Sequence, residues 1–228
     1  MSKQKAVTTL RILYPIWFVV GLFGVMYVPT TLVVAGDAAA TATNIVANEM
    51  LFRAGIVGSL ITQLIHIAVV VVLYKLFSSV NRNKAGLLVV LGLIGVPISM
   101  LNTLNRVAAL LLLNGSDYLK VFEQVQLNAL VMFFLNLNEQ GMFIATIFWG
   151  LWLFPLAYLI YKSGYFPKML GVLMLLAGLA YFIEPFILYL LPSYAEKFVP
   201  VVYLLTMGEV IFMGWVMFKG AKLPKAKS

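Results

Sequence analysis

Residues 51–77 read LFRAGIVGSLITQLIHIAVVVVLYKLF, and between Arg53 and Lys75 nothing carries a formal charge with His66 neutral. A hydrocarbon core about 30 Å thick needs roughly 20 mostly apolar residues in a helix, so this stretch reads as a membrane span. The same test, worked outward, finds five more, at about 11–35, 87–113, 140–162, 168–191 and 198–219. The expected fold is all-α, a single polytopic integral membrane bundle of six transmembrane helices filling residues 1–228. Residues 118–138 open polar, with Lys120, Glu123, Gln124 and Gln126, and become apolar. They are expected as an extra amphipathic helix at the outer interface; the alternative is a seventh span, which would reverse the last three helices.

Composition narrows the chemistry. Of 228 residues 63% are hydrophobic and 11% charged, against about a quarter charged in soluble domains. The absence of cysteine excludes disulfide frameworks, thiolate zinc and iron–sulfur clusters. A single histidine, His66, excludes bis-His haem and the several-His zinc sites. No phosphate loop, dinucleotide fingerprint or Gly-x-Ser-x-Gly turn occurs. No metal, cofactor or catalytic residue is therefore expected, and an intramembrane enzyme built on Ser99, His66 and Glu209 ranks third among the readings.

Charge fixes an orientation. With the N-terminus inside, twelve of the sixteen Lys and Arg residues fall at cytoplasmic ends, and Arg53, Arg106, Lys120 and Lys197 fall near outer ends. Positive-inside bias then places both termini in the cytoplasm. The first span follows Lys3, Lys5 and Arg11 but is about twice as long as a cleaved signal's apolar region of ~7–15 residues, so it reads as an uncleaved anchor. The net charge of +8 is then topology and lipid attraction, with membrane lipids as partners and no nucleic acid.

Further motifs carry a resemblance. Gly36–Gly55 reads GDAAATATNIVANEMLFRAG and Val80–Asn83 reads VNRN; SGYFPKMLG follows at Ser163–Gly171, then GLAYFIEPF, and GE at Gly208–Glu209. The pattern resembles an uncharacterised bacterial membrane family known only as domain of unknown function 4386, over almost the whole chain. The resemblance implies a bacterial inner-membrane protein of about six helices, and it brings no site residues.

Polar residues at membrane depth are costly and usually face inward. Ser59, Thr62, Gln63 and His66 share one helical face, and Ser99, Asn102, Thr103 and Arg106 repeat that spacing on the next span. Ala54, Gly55 and Gly58 are small enough to admit another backbone. One reading makes this a structural seam. The other makes it an outer-facing cavity in which Arg106, Asn102, Gln63, Glu184 and Glu139 hold a lipid head group or small polar ligand. Arg106 needs a partner at that depth; Glu184 is the first choice and Glu139 the second. His66 and Glu209, both near mid-depth, form a candidate proton relay. Gly171, Ala177 and Gly178 offer a small-residue face that admits a homo-oligomer.

Overall fold

The computed structural model describes residues 1–224. Its elements are α1 (Lys3–Leu32), α2 (Ala38–Ala47), α3 (Glu49–Phe77), α4 (Arg82–Leu112), α5 (Gln124–Ser163), α6 (Lys168–Leu190) and α7 (Pro192–Phe218), with no strand among the described residues. All but α2 are long and apolar enough to cross a membrane, six in total among the described residues. The chain thus has the all-α, multi-pass character expected of it.

The helices differ from the expected spans mainly at one place. Residues 124–138 are not a separate amphipathic helix, nor a seventh span; they are the first half of α5, which runs on to Ser163 with one irregular residue at Trp152. Only Asp117–Leu119, a single 3-10 turn, stands apart before it. The polar start gives the backbone no reason to stop, because no Gly or Pro interrupts residues 124–140. The one short extra helix is α2, where the Asp37 side chain accepts from the Ala40 N–H at 2.8 Å as an N-cap.

Two compact units emerge. One comprises Trp17–Leu64 and Pro97–Met142. Its apolar core joins Val28 and Leu32 of α1, Ile45 of α2, Phe52 and Ile56 of α3, Ala109 of α4, and Val131 and Leu135 of α5. Here α1 and α3 touch through backbone. A Cβ on Gly24 would lie 2.6 Å from the Ser59 nitrogen, and one on Gly58 would lie 3.4 Å from the Gly24 Cα. The small residues expected to admit another backbone do admit one.

The other unit comprises Met1–Ile16, Ile65–Val96 and the described residues from Phe143 onward. Its helices α5, α6 and α7 pack closely: a Cβ on Gly150 would meet the Gly178 carbonyl oxygen at 2.6 Å, and one on Gly208 the Leu173 carbonyl oxygen at 2.7 Å. Gly171 and Gly178 face α5, and Ala177 is fully buried. The small-residue face at Gly171, Ala177 and Gly178 thus packs within the chain. Arg11 closes the end of α7, donating from Nε to the Met217 carbonyl at 2.8 Å, where a cation also suits the helix dipole.

Close backbone approach makes a test. Gly24→Ala should destabilise by about 1–3 kcal/mol through overpacking. Gly86→Ala meets nothing within 4 Å and should be neutral or gain up to ~1 kcal/mol from helix propensity. Denaturant unfolding in detergent, followed by circular dichroism, compares the two; equal effects would contradict the packing described.

Candidate functional site

The site begins with a backbone fault in α1. Residues Leu22–Tyr27 form a π turn, and the Val28 N–H bonds to the Phe23 carbonyl, five residues back. In that register the donor for the Gly24 carbonyl would be residue 29, which is Pro29 and has no N–H. The Gly24 carbonyl is buried and has lost its helical donor, an expensive condition away from water.

Two side chains repair it. Ser59 on α3 donates from Oγ to the Gly24 and Gly55 carbonyls, at 3.1 and 3.0 Å. Arg106 on α4 donates from Nη1 to the Gly24 carbonyl at 2.9 Å and to Ser59 Oγ at 3.0 Å, with a long contact of 3.5 Å to the Gly55 carbonyl. The guanidinium carbon stands 5.3 Å from the Phe52 ring centre, a cation–π contact. Gly55 leaves room for the guanidinium: a Cβ there would sit 2.8 Å from Nη2.

Arg106 is only 4% exposed, yet among the described residues no carboxylate pairs with it. The ion pairs among the described residues are Arg53–Glu49 and Lys120–Asp117, both on the surface. The partner expected for Arg106, Glu184 or Glu139, is replaced by carbonyl and hydroxyl oxygens. Glu139, on α5 in the same unit, is exposed; Glu184 lies on α6 in the other unit, half-buried.

Arg106 also lines a cavity of about 50 Å³, together with Ser59, Gln63, Ser99, Thr103 and Asn138 and with apolar Val25, Pro29 and Met142. All of these belong to one unit. A water needs at least ~10–15 Å³ to enter and takes up about 30 Å³ in the liquid, so there is room for a small number of waters. Two polar atoms of its lining residues are buried with no partner among the described residues: Arg106 Nη2 and Ser99 Oγ. Thr103, by contrast, donates its hydroxyl to the Ser99 carbonyl at 3.0 Å.

Of the residues the sequence singles out, Arg106 and Gln63 come together in the cavity. Asn102 lies beside it in an asparagine knot. Its Nδ2 donates to the Asn138 carbonyl at 2.7 Å, Asn138 Nδ2 donates to the Asn102 carbonyl at 3.0 Å, and Asn105 donates to Asn102 Oδ1 at 2.9 Å. Gly141 makes this possible, since a Cβ there would overlap the Asn102 amide. Asn138 and the Gly24 carbonyl are the partners sequence reasoning missed. The polar run at 136–140 (NLNEQ) signalled the first, and a Gly five residues before a Pro signalled the second.

The two relay candidates lie in the other unit, each with a partner. His66 Nε2 donates to the Gly92 carbonyl at 3.0 Å, and its ring meets the Trp152 ring edge-on at 4.9 Å. Glu209, on α7, accepts a hydrogen bond from the Tyr181 hydroxyl of α6. Among the described residues no three His, Asp or Glu side chains gather as metal ligands.

The repair of Gly24 predicts a coupling. Arg106→Ala should cost about 1.5–3 kcal/mol, as removal of a charged hydrogen-bond donor does. In a Pro29→Ala background residue 29 regains an N–H, and the same truncation should cost less by roughly 0.5–2 kcal/mol. A double-mutant cycle by denaturant unfolding measures this; additive costs would sink the account of the orphaned carbonyl.

Comparison with known proteins fits this architecture. The family described as a domain of unknown function (DUF4386) matches residues 12–220. A protein of Archaeoglobus fulgidus, described as uncharacterized, is 31% identical over 173 residues, which is 76% of this chain and 88% of that protein. That relative is archaeal, so the bacterial setting expected from the sequence draws no support from it. No solved structure matches the chain. On the match over residues 12–220, the chain belongs to the DUF4386 family of multi-helix proteins whose function is undefined.

Proposed function

We propose that this protein binds a small polar ligand or a lipid head group in the membrane, in the cavity around Arg106. The observation that carries the reading is a buried guanidinium with one nitrogen unpartnered among the described residues, on a residue that lines a cavity with no carboxylate on its wall. A cation that served only as structural glue would be expected to use all its buried donors, because unpaired ones are costly. Gln63, Thr103 and Asn138 supply further polar wall, and Asn102 supports Asn138 from behind.

The Lys and Arg bias puts both termini in the cytoplasm and this end of α4 toward the outside of a cytoplasmic membrane. The second reading is a structural or regulatory protein acting through helix partners. The bonds of Arg106 Nη1 and of the asparagine knot favour it, since they tie α1, α3, α4 and α5 of this unit together. Ser99 separates the two readings, because its hydroxyl has no partner among the described residues.

Mass spectrometry of what co-purifies with gently solubilised protein is the test. A defined lipid or metabolite should accompany the wild type and be lost from Ser99→Ala and Arg106→Ala. Identical bulk lipids in all three, with only Arg106→Ala unstable, would favour the structural role. Orientation has its own test, helped by the lack of native cysteine. An impermeant maleimide should label Asn48→Cys in intact cells and Asn83→Cys only after permeabilisation; the reverse pattern would invert the topology.

A further inference from the structure

We infer that the end of α5 carrying Tyr158, Tyr161 and Lys162, with Lys84 of α4 and Lys168 of α6, binds the head group of an anionic phospholipid. All five residues belong to the unit that does not contain the Arg106 cavity. The inference therefore stands or falls apart from the proposed function.

Two lysines from different helices converge on one face of a third. Tyr158 and Tyr161 are three residues apart and neighbours on the surface of α5. Lys84 Nζ lies 5.8 Å from the centre of the Tyr158 ring, and Lys168 Nζ lies 5.3 Å from that of Tyr161. Lys162 follows Tyr161 directly, in the last turn of α5. The two tyrosines are 39% and 42% exposed and the three lysines are exposed as well, so the cluster is open to its surroundings. A ring face holds an ammonium in place but carries no net charge. These cations are thus positioned without being neutralised.

The chain offers them no counter-charge. No Asp or Glu occurs at residues 50–116 or 140–183, and the ion pairs among the described residues lie in the other unit. Along α6 the first acid is Glu184, sixteen residues and about 24 Å beyond Lys168. Placement also argues that topology is not their sole task. Cations that only set orientation serve as well in loops, yet residues 78–81 and 164–167 contain none. Arg82 and Lys84 instead occupy the first turn of α4, and Lys168 opens α6, with no acid in either first turn. The cap of α4 is the neutral Asn81, whose Oδ1 accepts from the Lys84 N–H at 3.0 Å. At a helix start the macrodipole disfavours a cation and favours an anion. One anion seated among these lysines answers the ammonium groups and the dipoles together. Tyrosine and lysine at the ends of apolar spans lie at head-group depth, where the anion on offer is a lipid phosphate.

The test titrates the full chain, in mild detergent, with anionic phosphatidylglycerol and with zwitterionic phosphatidylcholine, and native mass spectrometry counts the lipid bound. Lys84→Gln/Lys168→Gln removes the two positioned cations. Lys5→Gln/Lys219→Gln removes two exposed lysines elsewhere in the same unit and is the equal-charge control. Lys84→Arg/Lys168→Arg keeps both the charge and the ring contact. Thermal midpoints verify that each variant is folded.

Phosphatidylglycerol should bind saturably and more tightly than phosphatidylcholine. The Lys84→Gln/Lys168→Gln pair should weaken it by about tenfold or more, and the control pair by less than about twofold. The arginine pair should retain it. Should the glutamine pair fail to fold, Lys84→Gln and Lys168→Gln decide singly, each with a loss of about threefold. Equal losses in the two glutamine pairs would reduce the effect to net charge and overturn the site. Binding unchanged in Lys84→Gln/Lys168→Gln, or no preference for phosphatidylglycerol, overturns it as well.

Discussion

A carbonyl oxygen inside a membrane must find a donor within the protein, and in the π register of α1 the carbonyl of Gly24 finds none in its own helix. Pro29 ensures that one carbonyl in the preceding turn goes without. In ordinary α register that oxygen would belong to Val25, whose residue is exposed; the π turn transfers the loss to Gly24, which is buried against α3. Ser59 and Arg106 then converge on it, and the close contact of Gly24 with Gly58 and Ser59 follows. The position of the only buried guanidinium among the described residues is thus set by a missing N–H on another helix.

That arrangement reconciles two roles that the sequence presents as alternatives. As glue, Arg106 joins α4 to α1 and α3 through one nitrogen. In the proposed recognition role, the other nitrogen has no partner among the described residues and belongs to a side chain that lines a small cavity. The desolvation of a charge, several kcal/mol even after relaxation, is met in part by carbonyl dipoles and by the Phe52 ring face. None of these carries a full negative charge, so the electrostatic demand of the guanidinium is only partly answered by the chain.

How much of this the sequence disclosed follows from what sequence encodes. The spans were legible because about 20 apolar residues are a length requirement, and the stripe of Ser59, Gln63, Ser99, Thr103 and Arg106 was legible because helical period is fixed. The start of α5 was not legible, because polar side chains suggest the end of a span while the backbone carries the helix through them. For Arg106 the sequence offers acids as partners. Its acceptor is a main-chain oxygen, present at every residue and distinguished only by register and by the proline after it. His66 repeats the lesson, since its partner is the carbonyl of Gly92.

The π turn also has a consequence for the order in which the protein can be built. Gly24 lies 82 residues ahead of Arg106 and 35 ahead of Ser59, so α1 is synthesised and enters the membrane before either donor exists. A solitary α1 satisfies Gly24 only by returning Val28 to ordinary α register, which bares Val25 instead. The π turn thus leaves Gly24 dependent on donors that only later helices supply. Its formation slides the hydrogen bonding by one residue, so the part of α1 beyond it turns through roughly 100° about its axis, the angle one helical residue occupies. The residues of α1 beyond the turn therefore present to α3 a different face from the one a straight α-helix would present.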